Sequence, residues 1–81
     1  MCLFLYGNKM KNNCIKNSAD LGAFIRKKRK ELNMTQAELA DICNVGTRFI
    51  SNLENGKPTL EFDKVIHVAS GLGIELIATE R

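Results

Sequence analysis

The sequence holds one histidine and three cysteines, and that scarcity removes several kinds of chemistry at the outset. Cys2, Cys14 and Cys43 stand singly, with no C-x-x-C spacing. A closed zinc site takes four ligands, generally in paired spacings, so no metal site is expected. An odd cysteine count does not close a disulfide framework, and the three are read as reduced thiols of a cytosolic protein. No apolar run approaches the ~20 residues of a membrane span. The segment MCLFLY, Met1 to Tyr6, lacks the charged start and long apolar middle of a signal peptide, so a cytoplasmic, soluble protein with no membrane partner is expected. A glycine-rich phosphate loop is missing. No Ser-His-Asp, Cys-His or paired-carboxylate arrangement has a plausible site. The reading is therefore no enzyme and no cofactor.

What is present is a short chain with uneven charge. Its 81 residues suffice for one compact domain, which at this size buries about 60% of its unfolded surface, so a partner subunit would help stability. Residues 1–57 hold ten Lys and Arg against five Asp and Glu, a net of +5, while residues 58–81 hold two against four, a net of −2. Arg26, Lys27, Lys28, Arg29 and Lys30 are consecutive. Such a run is either a solvated helix face or an end that a phosphate backbone attracts, and the residues after it must decide.

Residues 1–17 read as a polar N-terminal arm, mobile or carrying one short strand near Cys14 and Ile15. Met10 is a possible alternative start. The first helix is predicted from Ser18 to Leu32, capped by Ser18, with Asp20 in its first turn and the basic run near its C-terminus, where the macrodipole favours cations. Leu21, Phe24, Ile25 and Leu32 share one face. Asn33 closes it. Thr35-Gln36-Ala37-Glu38 is a capping box that opens a second helix to Cys43, with Leu39, Ala40 and Cys43 inward. Asn44-Val45-Gly46 is a turn. A third helix is predicted from Thr47 to Asn55, with Ile50 and Leu53 inward and Thr47, Arg48, Ser51, Asn52 and Asn55 left as a polar stripe. A fourth runs from Leu60 to Ser70, capped by Thr59, with Phe62, Val65, Ile66 and Ala69 inward. The tail from Ile74 to Thr79 alternates like a strand. With no mate in its own chain it would be an exposed edge. It either pairs with the same strand of a second subunit about a two-fold axis or packs on helix four.

Two short helices joined by a three-residue turn, followed by a polar outward face, form the helix-turn-helix pattern. Ala40 is small where the helices cross, and Val45, Ile50 and Leu53 set the crossing. The third helix then projects into a DNA major groove about 12 Å wide. The run Thr35-Gln36-Ala37-Glu38-Leu39-Ala40, then Val45, then Ile50-Ser51-Asn52-Leu53-Glu54-Asn55-Gly56-Lys57-Pro58-Thr59-Leu60 resembles the Cro/C1 (XRE-type) helix-turn-helix family over residues 20–73. More narrowly, Arg48 to Leu60 with Asp63-Lys64-Val65 and Leu72-Gly73-Ile74-Glu75-Leu76 resembles the HipB-like (y4mF-type) antitoxins.

The resemblance implies an all-α fold: a compact four-helix, lambda-repressor-like domain over residues 18–73. Residues 74–81 would form a short C-terminal strand that pairs across a homodimer through Ile74, Leu76 and Ile77. It implies a repressor that binds double-stranded operator DNA, autoregulates its operon and acts as antitoxin to a HipA-like kinase toxin; the alternative is a stand-alone, phage-like repressor with no toxin partner. Thr47, Arg48 and Asn52 match base-reading positions, with Ser51 on the same face; Arg48 suits a guanine and Asn52 an adenine. Gln36 matches a phosphate contact that can also brace the third helix. Asn55, Gly56 and Lys57 match a loop holding phosphate through backbone amides and a cation. Arg26, Lys27 and Lys30 add longer-range attraction. Arg29 and Glu54 match a partly buried structural ion pair. Phe49 stands where a smaller polar residue is common, and either touches a thymine methyl or packs on the first helix. His67 reads as a packed or surface residue rather than a ligand. The family often has glycine where Asn44 stands and a Ser or Thr cap where Gly46 stands, which leaves the approach of the third helix less constrained.

Overall fold

The computed structural model describes residues 2–6 and 12–79, with side chains from residue 14 to residue 78. Residues 7–11 of the expected arm, Met10 among them, lie outside the described residues, as does the side chain of Cys2. The elements are β1 (Cys2–Tyr6), β2 (Asn12–Ile15), α1 (Ser18–Glu31), α2 (Gln36–Cys43), α3 (Thr47–Glu54), α4 (Phe62–Gly71) and β3 (Glu75–Thr79). The four helices fall where the apolar spacing placed them. Their joint core is built on Ile25, Leu39, Ile50 and Val68, one fully buried residue from each. Among the described residues no helix is long and apolar enough to cross a membrane.

The strands correct the all-α expectation. β1, β2 and β3 form one antiparallel sheet in the order β2-β1-β3. The tail strand therefore has a mate in its own chain: Phe4 lies opposite Ile77 and Leu5 opposite Leu76, while Leu3 also pairs with Ile15 on β2. Of the residues read as an arm, β2 is the short strand expected near Cys14 and Ile15, and β1 is a second, unexpected strand. The reason is legible afterwards, because the apolar run of β1 offers β3 the backbone partner that an isolated edge lacks. Ile15 and Ile74 fix the sheet to the helical core, with Leu76 packed against it. Cys14 is disulfide-bonded, a correction to the expectation of three free thiols, whereas Cys43 is a free, buried thiol.

The helix starts differ in detail. Asn17, not Ser18, caps α1: its side chain accepts from the Asp20 N–H at 2.8 Å, which leaves the Ser18 hydroxyl for another use. The capping box of α2 is complete, with Glu38 N–H on Thr35 Oγ1 at 3.1 Å and Thr35 N–H on Glu38 Oε1 at 2.9 Å. α4 begins two residues later than expected, after Glu61 and without a side-chain cap, because Thr59 and Leu60 stay in the bend that follows Pro58. Its buried stripe is accordingly Val65, Val68 and Ala69, followed by Leu72 just past its end, while Phe62 and Ile66 turn to solvent, as does Leu32 just past the end of α1.

All four helices end alike. Asn33, Asn44, Gly56 and Gly73 adopt left-handed φ values of 58°, 55°, 80° and 74°. In each case that residue's N–H and the next one's reach back to carbonyls of the last turn, as in Gly56 N–H to Leu53 O at 3.1 Å and Lys57 N–H to Asn52 O at 3.0 Å. These are Schellman closures, for which glycine and asparagine are the residues with the lowest left-handed cost.

Gly22 sets how closely α1 lies on α3. A Cβ there would stand 2.3 Å from the Leu53 carbonyl oxygen and 2.8 Å from that of Glu54, and backbone has nowhere to yield. Gly22→Ala is expected to lower stability by about 1–3 kcal/mol, as overpacking does. Each kcal/mol is worth roughly 4–8 °C in Tm for a domain this small, so a thermal melt against wild type checks it.

Candidate nucleic-acid interface

α3 presents one outward stripe. Ile50, Leu53 and Glu54 are buried on its inner side, while Thr47 and Arg48 are exposed and Ser51 and Asn52 are half-buried. Asn55 and Lys57 continue the stripe as exposed residues beyond the helix end. The expected base-reading residues thus share one face of α3, opposite its buried side. Such a stripe can hydrogen-bond base edges at its first turns and phosphates at its end.

A buried ion pair holds that face in place. Arg29 of α1 meets Glu54 of α3 with Nε to Oε2 at 2.7 Å and Nη2 to Oε1 at 3.0 Å, a bidentate fork. Arg29 Nη1 also donates to the Met34 carbonyl at 2.6 Å. The two side chains are only 9% and 2% exposed. Gln36 donates from Nε2 to Glu54 Oε1 at 3.1 Å, so of the two roles open to it the bracing one is realised. The carboxylate is thereby satisfied by three N–H groups. Burial alone would raise the Glu54 pKa, but the hydrogen bonds from Arg29 and Gln36 and the positive charges of Arg29 and Arg26 outweigh it. The group titrates below its ordinary value. The Arg29 guanidinium is held protonated more firmly still by its hydrogen bond to Glu54, against the opposing effect of burial.

The loop after α3 departs from expectation. The Asn55 N–H donates to Ser51 O at 3.0 Å, and those of Gly56 and Lys57 are used in the Schellman closure. All three amides serve the helix end, so a phosphate at this loop would be met by the side chains of Asn55 and Lys57, not by an amide cradle. The loop is anchored from the far end of the sequence. Ser18 Oγ donates to Gly56 O at 2.8 Å, and Gly56 lies so close to Ala19 that a Cβ would stand 2.8 Å from its Cα. Nothing in the sequence signals this contact, which spans 38 residues.

The basic run divides. Lys28 and Arg29 are buried, while Arg26, Lys27 and Lys30 are exposed on α1. Phe49 packs half-buried against the core, with Lys64 Nζ 5.9 Å from its ring centroid. Its ring is thus met by a cation of α4. Of the residues expected to make a dimer, Ile74 is buried in the chain's own core, and Leu76 and Ile77 on β3 are half-buried. Among the described residues no group of His, Cys, Asp and Glu is arranged to hold a metal ion. His67 Nε2–H donates to the Cys43 carbonyl at 2.8 Å, a contact that sequence reasoning missed.

The chain is similar to known proteins over this same region. A helix-turn-helix family model, HTH_3, matches residues 25–77. Over 62 residues, 76% of this chain and 82% of the relative, the sequence is 50% identical to an uncharacterised HTH-type transcriptional regulator, y4mF, of Sinorhizobium fredii.

The Glu54 pairing has a pH signature. A carboxyl whose folded pKa is depressed contributes stability that is present above its unfolded value, near 4.5, and is lost as pH falls through the folded value. Glu54→Gln leaves a buried guanidinium without its counter-charge and is expected to cost about 3 kcal/mol at neutral pH. The gap to wild type narrows below pH 4.5. Urea melts from pH 7 to pH 3 on both proteins check the sign.

Proposed function

Because this chain belongs to the helix-turn-helix family, we propose that it is a sequence-specific repressor. It binds a palindromic operator of double-stranded DNA as a homodimer and regulates its own operon from the cytoplasm. The observation that carries this reading is the outward stripe of Thr47, Arg48, Ser51 and Asn52 on α3, continued by Asn55 and Lys57. Arg48 reads a guanine through its bidentate fork, Asn52 reads an adenine, and Lys57 meets phosphate. Gln36 brings the start of α2 to the backbone as well as bracing Glu54. The dimer is made through residues 74–81. β3 lies at one end of the strand order β2-β1-β3, so two copies of it joined about a two-fold axis would extend one sheet into the next. Ile74 anchors the strand to the core, and Leu76 and Ile77 supply side-chain contact.

The finer reading is that this repressor is an antitoxin whose partner is a HipA-like kinase toxin. The apolar, acidic C-terminal third, with a net charge of −2 over residues 58–81, supports a protein partner distinct from DNA. Capture of a kinase-like protein on the tagged chain, with neutralisation of its toxicity, would support it. A chain that binds operator and captures no kinase is a stand-alone repressor.

Mobility shifts on the DNA upstream of the gene, at two salt concentrations and with random DNA as control, test the core of the proposal. Arg48→Ala is expected to weaken binding to the upstream fragment by roughly 1–3 kcal/mol while sparing random DNA. Lys57→Ala is expected to weaken both alike and to lower the slope of log affinity against log salt by about one. Equal behaviour of the two variants on both DNAs would remove Arg48 from the base-reading set.

A further inference from the structure

The start of α3, like that of α4, is one that no side chain secures. Gly46 precedes it with no side-chain cap, and the polypeptide reaches it through a left-handed asparagine at Asn44. Yet the outward stripe depends on how α3 leaves this turn. Beyond its own Schellman closure, the turn is held by α4. His67 Nε2–H donates to the Cys43 carbonyl at 2.8 Å, one of the orphan carbonyls at the end of α2. One turn further along α4, Gly71 approaches so closely that a Cβ there would stand 2.7 Å from Cys43 Sγ. Two residues at i and i+4 on α4 thus grip the last residue of α2, immediately before the turn.

We propose that His67 is a positioning residue for the recognition helix: its hydrogen bond to Cys43 secures the end of α2 and so holds the turn at Asn44–Gly46 that leads into α3. The inference rests on the reading of α3 as the DNA-contacting helix. It has a structural counterpart that makes it separable from packing. Gly46 is extended, at φ −73° and ψ 147°, as a capping residue requires, and a Cβ on it would meet nothing within 4 Å. A serine at Gly46 can therefore cap the α3 amides directly and secure the start of α3 from its other side, independently of the latch.

The test compares wild type, His67→Ala, His67→Gln and the double variant His67→Ala/Gly46→Ser. Each is first shown to be folded by a thermal melt. One readout is hydrogen exchange in the DNA-free protein at the bonded amides that flank the turn, Asn44, Val45, Phe49 and Ile50. The other is the ratio of affinities for upstream and random DNA. Loss of one hydrogen bond is expected to speed exchange at these amides and to cut the ratio by about fivefold in His67→Ala, with random-DNA binding unchanged. His67→Gln, which keeps an N–H donor, and the Gly46→Ser double variant restore both readouts. Wild-type exchange and discrimination in His67→Ala would overturn the proposal. So would equal weakening on both DNAs, or a Gly46→Ser change that restores nothing. If wild type itself shows no preference for the upstream fragment, the reading of α3 falls, and the exchange data alone still decide whether the latch exists.

Discussion

Arg29 and Glu54 are 25 residues apart in sequence and 2.7 Å apart in space, and the position of the outward face follows from that contact. Each charge is desolvated, so neither tolerates the absence of the other, and the fork fixes both distance and direction between α1 and α3. Gln36 ties the start of α2 to the same carboxylate, and Gly22 lets the backbones of α1 and α3 touch. Three helices are thereby referenced to one buried group. A recognition helix needs such a reference, because base readout depends on hydrogen-bond geometry that a small rotation would spoil.

Around that centre the molecule separates holding from presenting. The residues that hold are buried or turned back on the backbone: Ser18 on the Gly56 carbonyl, His67 on the Cys43 carbonyl, and the amides of Gly56 and Lys57 on the end of α3. The side chains that present, those of Thr47, Arg48, Asn55 and Lys57, carry no such internal duty and stay exposed. A side chain that is already hydrogen-bonded within the fold loses that bond when it turns to a base or phosphate, whereas a solvated one exchanges only water. The division therefore leaves the proposed interface free for DNA without weakening the scaffold behind it.

Local rules carried much of the fold into the sequence. The capping box at Thr35, the asparagines and glycines that close helices, and the three- and four-residue apolar spacing act over a single turn, so they are readable one segment at a time. The same holds for the polar stripe from Thr47 to Asn55, since sidedness on a helix is a matter of spacing alone. The Arg29–Glu54 pair and the helix-turn-helix family were legible because several such segments occur in one fixed order.

What the tertiary structure decided is whatever depends on partners far along the chain. Pairing of β1 with β3 joins residues 69 to 77 apart, and strand pairing follows register between segments that carry no mark of each other. The use of Asn17 as the cap of α1 was settled by Ser18 finding Gly56, and the inward stripe of α4 by where Pro58 released the chain. The amides after α3 went to its own last turn, since a closure available within the helix leaves no orphan donor waiting for a ligand. Spacing by itself determined which residues face outward on α3; only the packed structure determined what holds that face still, because desolvated ion pairs and close backbone approach exist only once the helices are assembled.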